Sequence, residues 1–81
     1  MLKLNVMTKK KPDEILKKAV GYFGPAGYKL EVVEQDENHV YFKGGGGGVE
    51  VDVFSGEDGT SVDLTTREWE YQIKEFARTI K

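Results

Sequence analysis

The sequence has no cysteine and a single histidine, His39. The first absence excludes disulfides and thiolate metal sites. The second excludes a site built on paired imidazoles. Serine is scarce too. Ser55 and Ser61 are the only ones, and neither sits in the strand–turn–helix context of a nucleophile elbow. No stretch approaches the roughly 20 apolar residues needed to cross a bilayer. The opening "MLKLNVMTKKK" lacks the apolar run of a signal peptide. These absences lead us to expect a cytoplasmic, non-enzymatic protein with no cofactor and no stoichiometric metal.

What is present describes a small soluble domain. The 81 residues are 38% hydrophobic and 32% charged, which suits one globular domain over 1–81. A chain of this size buries only about 60% of its unfolded surface, so a large internal ligand cavity is hard to accommodate. The net charge of −2 is unevenly spread. Residues 1–29 hold seven lysines and two acids, a net of +5, and the remainder five basic and twelve acidic residues, a net of −7. The basic cluster Lys9-Lys10-Lys11 with Lys17-Lys18 has no arginine and no interleaved aromatics, so nucleic acid is a poor fit.

Periodicity divides the chain into seven elements. Leu2, Leu4 and Val6 alternate as in a half-buried strand. Ile15, Leu16, Ala19, Val20 and Phe23 then fall on one helical face. Pro12 suits the first turn of that helix and Gly24-Pro25 its end. Four alternating stretches follow, with inward sets Tyr28/Leu30/Val32, Val40/Phe42, Val49/Val51/Val53 and Val62/Leu64. Asp58-Gly59 reads as the turn between the last two. The segment from Thr65 to Lys81 reads as a second helix with the stripe Trp69, Ile73, Phe76, Ala77 and Ile80. Thr65 and Glu68 have the spacing of a capping box, and Glu70 that of an ion pair with Lys74.

The expected class is therefore α+β, a two-layer sandwich of order β-α-β-β-β-β-α. Its antiparallel sheet has one wet face and one face covered by both helices. This order resembles one repeat of the TATA-box-binding-protein-like fold. It is also similar to a shortened helix-grip fold of the START and pollen-allergen type. The resemblance lies in topology alone and implies a sheet order of 1-5-4-3-2.

The most distinctive stretch is "YFKGGGGGVEVDV", residues 41–53. A phosphate loop would run into Lys-Ser/Thr and a helix, whereas these glycines run into a strand. They read as a hairpin. Apolar positions switch from even (Val40, Phe42) to odd (Val49, Val51, Val53) across them. Only a two-residue turn at Gly45-Gly46 then sets Phe42 opposite Val49 on the buried face. Gly44, Gly47 and Gly48 exceed what that turn needs, which implies positive φ or a close neighbour.

The same register puts Tyr41 opposite Glu50 and His39 opposite Asp52 on the wet face, with Phe54 beyond. His39, Tyr41, Glu50, Asp52 and Phe54, with Gly45 and Gly46 at the tip, form the candidate interaction patch. The expected function is a non-catalytic binding or protein-interaction module, with an unknown protein or a homodimer as partner. The alternative is a binder of a small apolar ligand between sheet and helices.

Overall fold

The structure, a computed structural model, describes residues 1–81. In chain order it contains β1 (Leu2–Thr8), α1 (Pro12–Phe23), β2 (Glu31–Gln35), β3 (His39–Gly44), β4 (Gly47–Gly56), β5 (Gly59–Arg67) and α2 (Glu70–Ile80). The five strands form one antiparallel sheet in the order β1-β5-β4-β3-β2. The first strand thus pairs with the last, and the other four follow as a meander. Both helices pack on one face: α1 lies over β3 and β4, and α2 over β5 and β1.

Helix α1 forms where the sequence predicts. Pro12 occupies the first turn, where its missing N–H leaves no bond unmade, and Asp13 and Glu14 face the positive end of the helix dipole. Ile15, Leu16, Ala19 and Phe23 face the sheet. The helix stops at Gly24, whose N–H donates to Val20 O at 2.9 Å. Gly21 sits mid-helix with nothing within 4 Å of an added Cβ. Gly21→Ala should therefore raise stability, by up to about 1 kcal/mol. An unchanged or lower denaturant midpoint would refute this.

The core is aromatic at its centre and aliphatic around it. Phe23 stacks against Phe42 at 5.6 Å and Phe76 at 5.4 Å between ring centroids. Val40, Val49, Val51, Val53, Val62 and Leu64 supply the sheet side, with Ile15, Ile73 and Ile80 above them. All of these side chains are fully buried, so the space between the layers is occupied by the protein itself.

Local expectations are corrected in three places. Helix α2 starts at Glu70 rather than near Thr65, because β5 runs on to Arg67. Thr66 is buried in that strand and its hydroxyl donates to Gly48 O at 2.7 Å. Glu68 adopts φ +76, so it cannot serve in a capping box with Thr65, and Trp69 takes the N-cap position without a side-chain cap. The ion pair formed along α2 joins Arg78 to Glu75 at 3.3 Å, not Glu70 to Lys74.

Tyr28 is the second correction. It lies before β2, in the turn out of α1, with its ring partly exposed against Tyr22 and Trp69 rather than in the core. Lys29 at φ +66 breaks the alternation that would have carried Tyr28 inward. Leu30 and Val32 do face the core, as expected. Third, the β4–β5 turn consists of Glu57 and Asp58, with Gly56 paired to Gly59, one residue earlier than Asp58-Gly59.

The candidate outer-face site

The glycine hairpin has the predicted register. Phe42 pairs with Val49, Val40 with Val51, Tyr41 with Glu50 and His39 with Asp52. The turn residues Gly45 and Gly46 have φ of +59 and +82, as a type I′ turn requires. The surplus glycines are explained by close neighbours within the same chain. A Cβ at Gly44 would lie 2.7 Å from Leu30 Cδ2, and one at Gly45 2.7 Å from the Trp69 ring. At Gly47 it would meet Arg67 O at 2.0 Å. At Gly48 it would meet Tyr41 Oη at 2.9 Å and Phe42 O at 2.8 Å. Trp69 Nε1 also donates to Gly44 O at 3.0 Å, tying the hairpin to the start of α2. The glycines let the protein pack against itself.

Pairing across the sheet sorts the uncovered face into four rows. Glu31, Lys43, Gly48 and Arg67 make the first. Glu34, Tyr41, Glu50, Thr65 and Lys3 make the second. His39, Asp52, Asp63 and Asn5 make the third. Phe54, Ser61 and Met7 make the fourth. The face thus carries Lys43 and Arg67 with Glu31 beside the hairpin, an excess of acids in its middle and apolar side chains at its far end. Gly48 contributes no side chain, so a shallow depression of about 540 Å³ opens there, walled by Tyr41, Lys43, Glu50, Thr65 and Arg67. Neither Lys43 nor Arg67 takes part in an ion pair.

The third row is hydrogen-bonded. Asn5 Nδ2 donates to Ser61 Oγ at 2.9 Å and to Asp63 Oδ1 at 2.8 Å. His39 is half-buried, with Nδ1 2.7 Å from Asp52 Oδ1 and Nε2 3.5 Å from Glu34 Oε1. Burial opposes the imidazolium and is the largest single influence on it. The hydrogen bond to Asp52 and the charges of Asp52, Glu50 and Asp36 together outweigh that, so the pKa is raised above the ordinary 6.5.

A raised histidine pKa has a definite sign. Its stabilising contribution is full below the unfolded-state value and is lost as pH rises through the folded-state value. In chelated buffer, the denaturant midpoint should fall from about pH 6 to 8 more steeply for the natural chain than for His39→Gln. Parallel curves for the two chains would contradict the assignment.

The candidate patch is thus only partly contiguous. His39, Tyr41, Glu50 and Asp52 adjoin in two neighbouring rows. Phe54 is exposed on the same face, but one row beyond His39. Tyr41 leans the other way, over Gly48, so the two aromatics do not meet. Gly45 lies against Trp69, while Gly46 has open space around it. Arg67 and Glu34 escaped the sequence reading. Arg67 looked helical, and the shift in register between Val32 and Glu34 that brings Glu34 to Tyr41 leaves no periodic trace. Comparison with family models, curated proteins and solved structures finds no match for this chain.

Proposed function

We propose that this chain is a non-catalytic interaction module whose working surface is the open sheet face, and that the partner is a second copy of itself. The segregation of charge into rows carries the reading. Consider a two-fold axis lying between two such faces and running along the second row. Each strand then lies over its own counterpart with direction reversed, and the first row of one copy meets the third row of the other. Arg67 faces the Asp63 of the second copy, while Lys43 lies over its His39 and reaches its Asp52 only diagonally, one strand away. Self-complementarity of this kind is what an isologous dimer requires, and the sheets meet in the aligned arrangement of stacked sheets.

The magnitude is modest. Strands about 4.8 Å apart and rows about 7 Å apart give a face of roughly 20 Å by 20 Å, or about 800–1,000 Å² buried in total. That is below the usual size of a stable interface. Weak, salt-sensitive association is expected, strongest at low ionic strength. The axis also brings Glu50 near its own copy. Glu50→Gln should therefore tighten association, while Arg67→Glu should weaken it and Arg67→Glu with Asp63→Arg should restore it. Sedimentation equilibrium at low and high salt reads all three. A monomer throughout, or association indifferent to charge reversal, would end this proposal. An apolar ligand between sheet and helices is less well supported, because Phe23, Phe42 and Phe76 occupy that space.

A further inference from the structure

His39 stands between two carboxylates, and a third is beside them. Its Nδ1 faces Asp52 and its Nε2 faces Glu34. Glu50 neighbours Asp52 along the same face of β4. The ligand atoms of His39, Glu50 and Asp52 all lie within 4.8 Å of one another, and all three residues are half-buried. We propose that His39, Glu50 and Asp52 form a binding site for one borderline divalent cation of the Zn2+ class, with Glu34 orienting the imidazole.

The donor set selects the class. One imidazole nitrogen with two carboxylates suits zinc and its neighbours in the first transition row. Calcium prefers six to eight oxygens and gains little from a ring nitrogen. Zinc–ligand bonds of about 2.0–2.2 Å set neighbouring ligand atoms roughly 3.4 Å apart. Nδ1 and Asp52 Oδ1, 2.7 Å apart, must therefore open slightly while Glu50 closes by about an ångström, which the three side-chain torsions of Glu50 and small turns of Asp52 and His39 allow. The backbone need not move, because His39 and Asp52 are directly paired in the sheet.

Two further observations favour the site. A metal-bound histidine characteristically donates its other ring N–H to a carboxylate, which fixes the tautomer. Glu34 Oε1, 3.5 Å from Nε2, is placed to accept that bond. The shift in register after Val32 is what brings Glu34 there. The field is also favourable. The cation would replace the proton shared by Nδ1 and Asp52 among three carboxylates; Lys43 lies in the neighbouring row and Lys3, in the row of Glu50, is two strands away from it. With three protein ligands, the outward coordination position is left to water.

This inference does not rest on the pairing of two copies, because uptake is measured on dilute monomer. The full chain, stripped with chelator, is titrated calorimetrically with Zn2+ and separately with Ca2+. One equivalent of Zn2+ should bind, at least a hundredfold more tightly than Ca2+. His39→Gln, Asp52→Asn and Glu50→Gln should each weaken it tenfold or more. Glu34→Gln should weaken it about tenfold, as an outer carboxylate does, while Glu57→Gln, in the β4–β5 turn, leaves it unchanged. The imidazole nitrogen resonances of the unaltered chain should show Zn2+ on Nδ1. Absence of saturable uptake, uptake unaffected by these substitutions in folded variants, or resonance shifts centred away from His39 would each overturn the site.

Discussion

Gly47→Ala should destabilise this protein by more than about 3 kcal/mol, beyond the usual range for an overpacked site. The obstacle is backbone rather than a side chain that can swing aside. The new methyl would lie 2.0 Å from Arg67 O and 2.8 Å from Glu68 Cβ. Arg67 is held in β5, and Glu68 already occupies an unfavourable conformation at φ +76. Either β4 moves off β5 or the turn into α2 reorganises. Gly46→Ala is the control. It has open space but φ +82, so its penalty is the roughly 1–2 kcal/mol of a left-handed alanine. Urea unfolding compares them directly. If Gly47→Ala costs no more than Gly46→Ala, the close approach is not what requires glycine.

Phe23→Ala should cost about 3–5 kcal/mol, the range for emptying a buried phenylalanine site. Against a total of roughly 5–15 kcal/mol, that is enough to leave the chain partly unfolded at moderate temperature. Phe23 is the last residue of α1 and is fully buried. Its ring lies within 6.4 Å, centroid to centroid, of those of Tyr22, Tyr28, Phe42 and Phe76. It therefore joins both helices to the sheet. The cavity cannot collapse cheaply, because the wall on the sheet side is fixed by the β3–β4 pairing. Phe23→Leu keeps most of the volume and should cost less than about 2 kcal/mol. Thermal unfolding separates them, since each kcal/mol shifts the midpoint by about 4–8 °C in a domain of this size. A loss below about 2 kcal/mol for the alanine variant would mean that the core repacks.

The fold was legible in the sequence wherever one face of an element is buried. Alternation in β1, β3, β4 and β5 marks their inward sides. The even-to-odd switch across the glycines determines the β3–β4 pairing without reference to tertiary structure. Legibility failed where local and long-range preferences compete. "TTRE" scans as a helix start, yet the β-branched Thr65 and Thr66 suit a pleated surface. The pairing of Thr66 with Leu2, far away in sequence, decides the matter. Tyr28 was misplaced because a positive φ at Lys29 leaves no signature in a lysine. The outer face followed the same division. His39, Tyr41, Glu50 and Asp52 came from the predicted register. Glu34 depends on an irregularity in the edge strand, and Arg67 on where β5 ends.

The pairing of β1 with β5 has a consequence for synthesis. Leu2 meets Thr66 and Thr8 meets Thr60, so the strand made first waits for the strand made last. The β3–β4 and β4–β5 hairpins can form as soon as each is translated, within microseconds. At about 5–20 residues per second on the ribosome, the N-terminal strand spends several seconds with no antiparallel neighbour. Throughout that interval Leu2, Leu4 and Val6 are an unpaired apolar edge. Lys3 interrupts it, and Lys9, Lys10 and Lys11 follow it. The lysines of the N-terminal third, none of which forms an ion pair in the finished structure, then act as gatekeepers against intermolecular strand pairing while the chain is incomplete.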